Sequence, residues 1–248
     1  MLCLALMNSR TPDVPAIAAA SGYDAVYVDL EHTSTSLETA AMLCASATGA
    51  GIWALVRVSS QEPSLIARVL DMGATGIIVP HVNSASEAQR VVAAARFPPV
   101  GHRSISGPNA LSGFAARTAT ELTEVLEART VVAVMVETPE AVRDADAIAS
   151  VEGVDMVLIG PSDLTAEMGI HGQYENERFR DAVDSVAAAC RTHGVALGMA
   201  GIKSLDLLKR FVGLGLRFIS AGTDVGMMTE AATARAQALR GLDGTATM

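Results

Sequence analysis

Lysine is almost missing from this chain. There are two, Lys203 and Lys209, in 248 residues. Chemistry through a lysine Schiff base needs a desolvated amine aimed into a pocket. Only Lys203 lies near an expected strand end, and it is a poor candidate. Cysteine is also scarce: Cys3, Cys44 and Cys190 are odd in number and fit no zinc or redox spacing. They read as buried, reduced thiols of a cytoplasmic protein. Basic residues are outnumbered, 18 against 27 acidic ones, for a formal net charge of −9. That balance argues against nucleic acid or an anionic membrane as a partner. No apolar run approaches the roughly 20 residues of a membrane-spanning helix. The apolar start, Met1 to Met7, is short and has no basic leader, so it is expected to be a buried first strand rather than a signal peptide.

What is present is apolar and regular. Half of the residues are hydrophobic. Short runs rich in β-branched residues alternate with longer Ala-rich amphipathic segments. Strands are expected near 2–7, 25–30, 53–58, 75–80, 131–137, 154–160, 195–200 and 217–221. Helices are expected near 13–21, 36–49, 62–72, 84–95, 119–129, 138–149, 175–193, 202–213 and 224–240. Strands without polar alternation are buried on both faces, as in a parallel sheet covered by helices. Eight such units in about 250 residues fit an α/β fold of the (β/α)8 TIM-barrel type. A doubly wound open sheet would usually show a glycine fingerprint after its first strand, and Asn8-Ser9-Arg10-Thr11 is not one. No charge run or Pro/Gly cluster marks a linker, so a single domain over 1–248 is expected. The segment 96–117, with Pro98, Pro99, Pro108, Gly101, Gly107 and Gly113, is expected to be a long loop, either a binding segment or a surface excursion.

The expected strands end in chemically loaded residues. Asp29, Glu31 and His32 follow the second, Arg57 lies in the third and His81 follows the fourth. Glu137 and Asp163 end the fifth and sixth. In barrels this rim is where active sites lie. Two carboxylates on neighbouring parallel strands make an oxygen-rich site for a hard divalent cation. The competing reading is that each caps a helix, since Thr138-Pro139-Glu140 and Pro161-Ser162 look like helix starts. Arg57 sits in an apolar run, where a guanidinium needs an ion partner or a function. Asp71 ends a helix, against the dipole, which predicts a partner such as a histidine. His81, His171 and His193 have no ligand spacing and are expected to be structural. Met135 and Trp53 are expected in the core. Gly213, Gly215 and Gly222 flank the last strand, as a late phosphate loop or simply its turns.

Five segments in order carry a resemblance: Val26 to His32 (VYVDLEH), Leu70 to Ala74 (LDMGA), Pro98 to Arg103 (PPVGHR), Val136-Glu137, and Ile159 to Leu164 (IGPSDL). Together they resemble the class II pyruvate aldolases of the 4-hydroxy-2-oxoheptanedioate aldolase type. These belong to the pyruvate/phosphoenolpyruvate barrel superfamily, with citrate lyase β-type proteins as relatives. The similarity runs from about the first strand to about residue 230.

The resemblance implies a metal-dependent retro-aldol cleavage of 4-hydroxy-2-oxo acids to pyruvate and an aldehyde. It implies that Glu137 and Asp163 ligate Mg²⁺, Mn²⁺ or Co²⁺. It implies that His32 is the base, that Asp71 raises its basicity, and that Arg57 stabilises the transition state. The backbone around Ser162 and Asp163 would hold the substrate carboxylate, and Asp29 matches an acidic residue near the base. It further implies a homo-oligomer, a trimer or hexamer, with loops such as 96–117 completing a neighbour's site. The chain departs from the pattern at Ser104, usually Gly, and at Met135, usually a Gln that contacts the keto acid. Met135 cannot donate a hydrogen bond. That points to an altered substrate preference or to loss of the usual reaction. A CoA-thioester lyase of the citrate lyase kind would need a cluster of basic residues for the nucleotide, and no loop has one. A non-catalytic barrel used for binding has Met135 in its favour and the polar rim against it.

Overall fold

In the computed structural model, which describes residues 1–242, eight strands close into a barrel in chain order. Residues 243–248 of the expected 1–248 domain lie outside the described residues. The strands are β1 (Leu2–Leu6), β2 (Ala25–Asp29), β3 (Trp53–Arg57), β4 (Gly76–Val79), β5 (Val131–Val136), β6 (Met156–Ile159), β7 (Ala196–Ala200) and β8 (Leu216–Thr223). Every neighbouring pair is parallel, β8 returning to β1. Between them run α1 (Asp13–Ala20), α2 (Leu37–Gly49), α3 (Pro63–Asp71), α4 (Ala85–Ala95), α5 (Ala119–Glu127), α6 (Pro139–Arg143), α7 (Ala145–Ala149), α8 (Pro161–Glu167), α9 (Glu177–His193) and α10 (Leu205–Gly213). A final helix, α11 (Asp224–Leu242), follows β8.

The continuous apolar character of the strands has the expected cause: each is buried on both faces. One face packs against the helices, in a cluster that includes Val26, Val28, Val56, Ile77, Val134, Val136, Val157 and Ile159. The other fills the barrel with Cys3, Ala5, Tyr27, Leu55, Ile78, Ala133, Met135, Leu158 and Phe218. Side chains alternate along a strand, so within β1 to β7 the parity of the sequence number decides which cluster a residue joins, while in β8 a register shift puts Leu216 and Phe218 in different clusters. No helix among the described residues is long and apolar enough to cross a membrane.

Two local departures from expectation have simple causes. The helix expected over 138–149 breaks at Asp144 into α6 and α7. Its carboxylate accepts a hydrogen bond from the Ala85 N–H (2.8 Å) at the start of α4. The short helix α8, not expected as such, starts with Pro161 at its first position, where a missing N–H costs nothing. The 96–117 segment is a loop with a single 3-10 turn at Ala110–Ser112. Arg96 anchors its start from the barrel's amino-terminal end, where its buried guanidinium meets Glu127 (2.8 Å), Asp155 and the Thr130 carbonyl (3.1 Å).

Candidate active site

The inward series of each strand, continued one step past the core, builds the rim. In β2 it runs Ala25, Tyr27, Asp29. In β3 it runs Trp53, Leu55, Arg57. In β5 it runs Ala133 and Met135, and the next inward position is Glu137. In β8 Phe218 is followed by Ser220. The register sets Asp29 directly beside Arg57.

Arg57 is the hub. Its Nε and Nη2 donate to the two oxygens of Asp29 at 2.9 and 2.7 Å, and its Nη1 lies 3.1 Å from Glu31 Oε2. Burial by itself would favour loss of the proton. The hydrogen bonds to Asp29 and the charges of Asp29 and Glu31 outweigh it and hold the pKa above the ordinary arginine value. Asp29 is fully buried behind this guanidinium. The acid that the resemblance puts near the base is thus paired with Arg57, which it orients, and is not among the residues lining the cavity. His32 is largely exposed at the mouth, its Nε2 3.6 Å from Glu31 Oε2.

Glu137 is 2% exposed. Its carboxyl pKa is raised, first by burial, with the charges of Asp163 and Glu31 adding to it. A hydrogen bond from the His81 backbone N–H (3.0 Å) and the His81 ring oppose the rise. Glu137 is no helix cap. Thr138 caps α6, its side chain accepting from the Ala141 N–H. Asp163 lies in the first turn of α8, where the helix dipole favours a carboxylate, but the cap position belongs to Gly160.

Space beside Glu137 exists only because residue 160 has no side chain. A Cβ there would lie 2.7 Å from Glu137 Cγ and closer still to Oε1. Gly160→Ala should therefore displace the Glu137 carboxylate and lower cation affinity at least 10-fold with little change in fold, as isothermal titration with Mn²⁺ would show.

These groups surround a cavity of about 320 Å³, whose lining includes Glu137, Asp163, Ser162, Tyr27, Arg57 and Ser220. That is small for a ligand pocket. Met135 lines its floor and is also core, 2% exposed.

His81, expected to be structural, holds two acids of the rim, and Asp71 has a partner other than the expected histidine. His81 adopts a left-handed backbone (φ 54°), and its ring spans two carboxylates, Nε2 3.3 Å from Glu31 Oε1 and Nδ1 3.4 Å from Glu137 Oε2. A non-glycine residue with positive φ is uncommon, and here the turn aims its N–H at Glu137. Asp71 has a partner, but it is an arginine. Arg103 Nη2 lies 2.7 Å from Asp71 Oδ1, and the guanidinium stacks on Phe97 at 4.7 Å. Within one chain Asp71 is thus engaged by the 96–117 loop, while the carboxylate beside His32 is Glu31. Lys203 faces a separate groove against α11. Glu31 and His81 stand on the rim in the sequence reading without a chemical role, and Tyr27 and Ser220 are not singled out there. The parity of the strands was the signal that could have found Tyr27 and Ser220.

Among the described residues no three His, Cys, Asp or Glu side chains close into a metal cage. What the chain offers is a pair of carboxylates, Glu137 and Asp163, close enough to raise the pKa of the buried one. An oxygen-only, mutually repelling donor set fits a hard dication that keeps water and substrate oxygens as its remaining ligands.

A closed barrel with an acidic, imidazole-bearing rim over a small cavity at the carboxyl ends of its strands has the layout of a (β/α)8 enzyme site. The chain belongs to the HpcH/HpaI aldolase/citrate lyase family, whose model matches residues 3–231. It is 38% identical over 221 residues to the 4-hydroxy-4-methyl-2-oxoglutarate aldolase of Hapsidospora irregularis, covering 88% of this chain and 82% of that one. It is 32% identical over 246 residues to the 4-hydroxy-2-oxo-heptane-1,7-dioate aldolase of Salmonella dublin, covering 98% and 92%. Its backbone matches the crystal structure of an HpcH/HpaI aldolase from Desulfitobacterium hafniense DCB-2 with a TM-score of 0.91 at 28% identity, covering 96% and 92%.

Proposed function

We propose that this chain is a divalent-cation-dependent aldolase that reversibly cleaves a 4-hydroxy-2-oxo acid to pyruvate and a second carbonyl compound. The observation that carries the reading is the meeting of Glu137 and Asp163 across a cavity shared with Arg57 and His32. Glu137 and Asp163 would hold Mg²⁺, Mn²⁺ or Co²⁺. When bound, the cation supplies Lewis-acid polarisation of the keto group.

The chain's own residues account for the rest. His32, at the open mouth, accepts the proton of the C4 hydroxyl. The C3–C4 bond breaks, its electrons passing to C3 as an enolate, while C4 becomes a carbonyl. Arg57, held rigid by Asp29 and Glu31, places fixed positive charge beside the developing enolate. Protonation at C3 releases pyruvate. The exposed Ser162 and the amino-terminal turn of α8 face the substrate carboxylate. Asp71 is not part of this chemistry within one chain.

The test is solvent deuterium exchange at the pyruvate methyl with each of the three cations, followed by cleavage of a 4-hydroxy-2-oxo acid panel that includes 4-hydroxy-4-methyl-2-oxoglutarate. Cleavage of that compound between C3 and C4 yields two pyruvates. EDTA should stop both reactions, and a CoA thioester run in parallel should stay intact. Exchange that survives EDTA would sink the proposal. His32→Ala should slow cleavage about 10²–10⁴-fold and leave Mn²⁺ affinity unchanged. Equal turnover in the variant would remove His32 from the mechanism.

The chain is further proposed to act as one domain in a cytoplasmic homo-oligomer, a trimer or hexamer. The support for assembly is α11, of whose residues none is buried in a single chain. Light scattering after size exclusion would give the subunit count.

A further inference from the structure

Several of the groups that line the cavity can only accept hydrogen bonds, or already have partners. Glu137 and Asp163 only accept when ionised. Each nitrogen of Arg57 already serves a carboxylate. Met135, Gly160 and Pro161 line the cavity with no side-chain donor at all. A keto acid passing through an enolate gathers negative charge on its C2 oxygen, and that charge needs donors placed in advance.

Hydroxyls of Tyr27, Ser162, Ser220 and Thr223 and the His32 ring line the cavity as well, and Tyr27 is the one that comes from the buried interior of β2. Tyr27 stands one inward step below Asp29 on β2, packed in the barrel interior and 7% exposed, and it lines the cavity beside Ser220. Its ring lies under the Arg57 guanidinium, 5.8 Å from ring centroid to Cζ. Burial pushes its pKa up to about 12, the Arg57 charge and a hydrogen bond with the Ser220 side chain pulling the other way. The phenol therefore keeps its proton at neutral pH and remains a donor. A phenol in a barrel core most often needs only a partner for its hydroxyl, and the Ser220 side chain beside it on the cavity can serve as one. Its position on the cavity wall gives it a second partner whenever a ligand is present.

We propose that the Tyr27 hydroxyl, beside Ser220, is a substrate-contacting donor that stabilises the oxyanion of the bound keto acid from the barrel interior, where Met135 can offer none. Tyr27 donates to the ligand oxygen and accepts from the Ser220 hydroxyl. This rests on the aldolase reading for the identity of the ligand, but its test does not depend on turnover.

The experiment uses the full-length protein with Mg²⁺. Calorimetry measures affinity for pyruvate and for oxalate, a planar dianion shaped like the pyruvate enolate. Methyl deuterium exchange measures enolisation. Tyr27→Phe keeps the ring and removes the hydroxyl. The expected result is a roughly 100-fold lower kcat for exchange, an oxalate affinity weakened by a similar factor, and a pyruvate KM changed far less. A merely structural phenol would leave that split unmoved. Met135→Gln places an amide donor on the same cavity from β5, so Tyr27→Phe/Met135→Gln should recover part of the oxalate affinity. Unchanged oxalate affinity and exchange in Tyr27→Phe would overturn the proposal. So would equal losses for pyruvate and oxalate, the mark of a deformed pocket. A wild-type protein that binds oxalate but never exchanges would refute the aldolase reading alone, because Tyr27→Phe would still be read by binding. A wild-type protein that binds neither compound overturns both.

Discussion

Glu137→Gln should abolish cleavage and, in cation-free protein at neutral pH, raise the melting temperature. The two effects share one cause. The carboxyl is 2% exposed and faces the charges of Asp163 and Glu31. Its pKa is raised on folding, so the folded state disfavours the ionised form. The penalty is full at pH above the raised value and fades as the pH falls through it. Glutamine removes the charge and still accepts the His81 N–H. A gain of about 1–2 kcal/mol is expected, or a few degrees in melting temperature. The gap between variant and wild type should close on acidification. Saturating Mg²⁺ should reverse the order, because it stabilises only the protein that binds it. Loss of the cation's transition-state stabilisation, several kcal/mol, means a turnover loss on the order of 10³-fold or more. Scanning calorimetry at two pH values, with and without Mg²⁺, reads all of this. A variant less stable than wild type at neutral pH without cation would contradict it.

Arg57→Met should unfold the protein more than any other single change at the rim. It leaves Asp29, which has no exposed surface, without its bidentate partner. An uncompensated buried charge of this kind costs about 3–5 kcal/mol, which lowers the melting temperature by roughly 10 °C in a chain of this size. Adding Asp29→Asn should restore much of the stability, since the orphaned charge is then gone. It should restore none of the activity, since the guanidinium proposed to stabilise the enolate is still missing. Thermal unfolding and turnover measured on the single and double variants separate these outcomes. A double variant no more stable than Arg57→Met would mean that Asp29 is not held by Arg57.

The barrel was legible because its signals are local. Unbroken apolar runs mark strands buried on both faces, and Ser36, Ser84, Thr118, Thr138, Asn176 and Ser204 cap the helices that follow. The candidate site was legible in part for the same reason. Alternation along a strand fixes that Arg57 and Glu137 point inward once Leu55 and Met135 do. It fixes equally that Asp29 follows Tyr27.

What alternation leaves open is what each rim residue meets. Asp29 reads as a site acid until the β2–β3 register places it behind Arg57. His81 shows no ligand spacing, because its partners Glu31 and Glu137 arrive from strands β2 and β5 on either side of it. Asp71 announces that it wants a cation, yet only the path of the 96–117 loop brings Arg103 to it rather than a histidine. The sequence by itself determined the eight parallel strands, their inward faces and the acids at their ends, because period and parity act between residues a few positions apart. Closure of the barrel decided the partners, because contacts between rim residues depend on the register and radius that all eight strands set together.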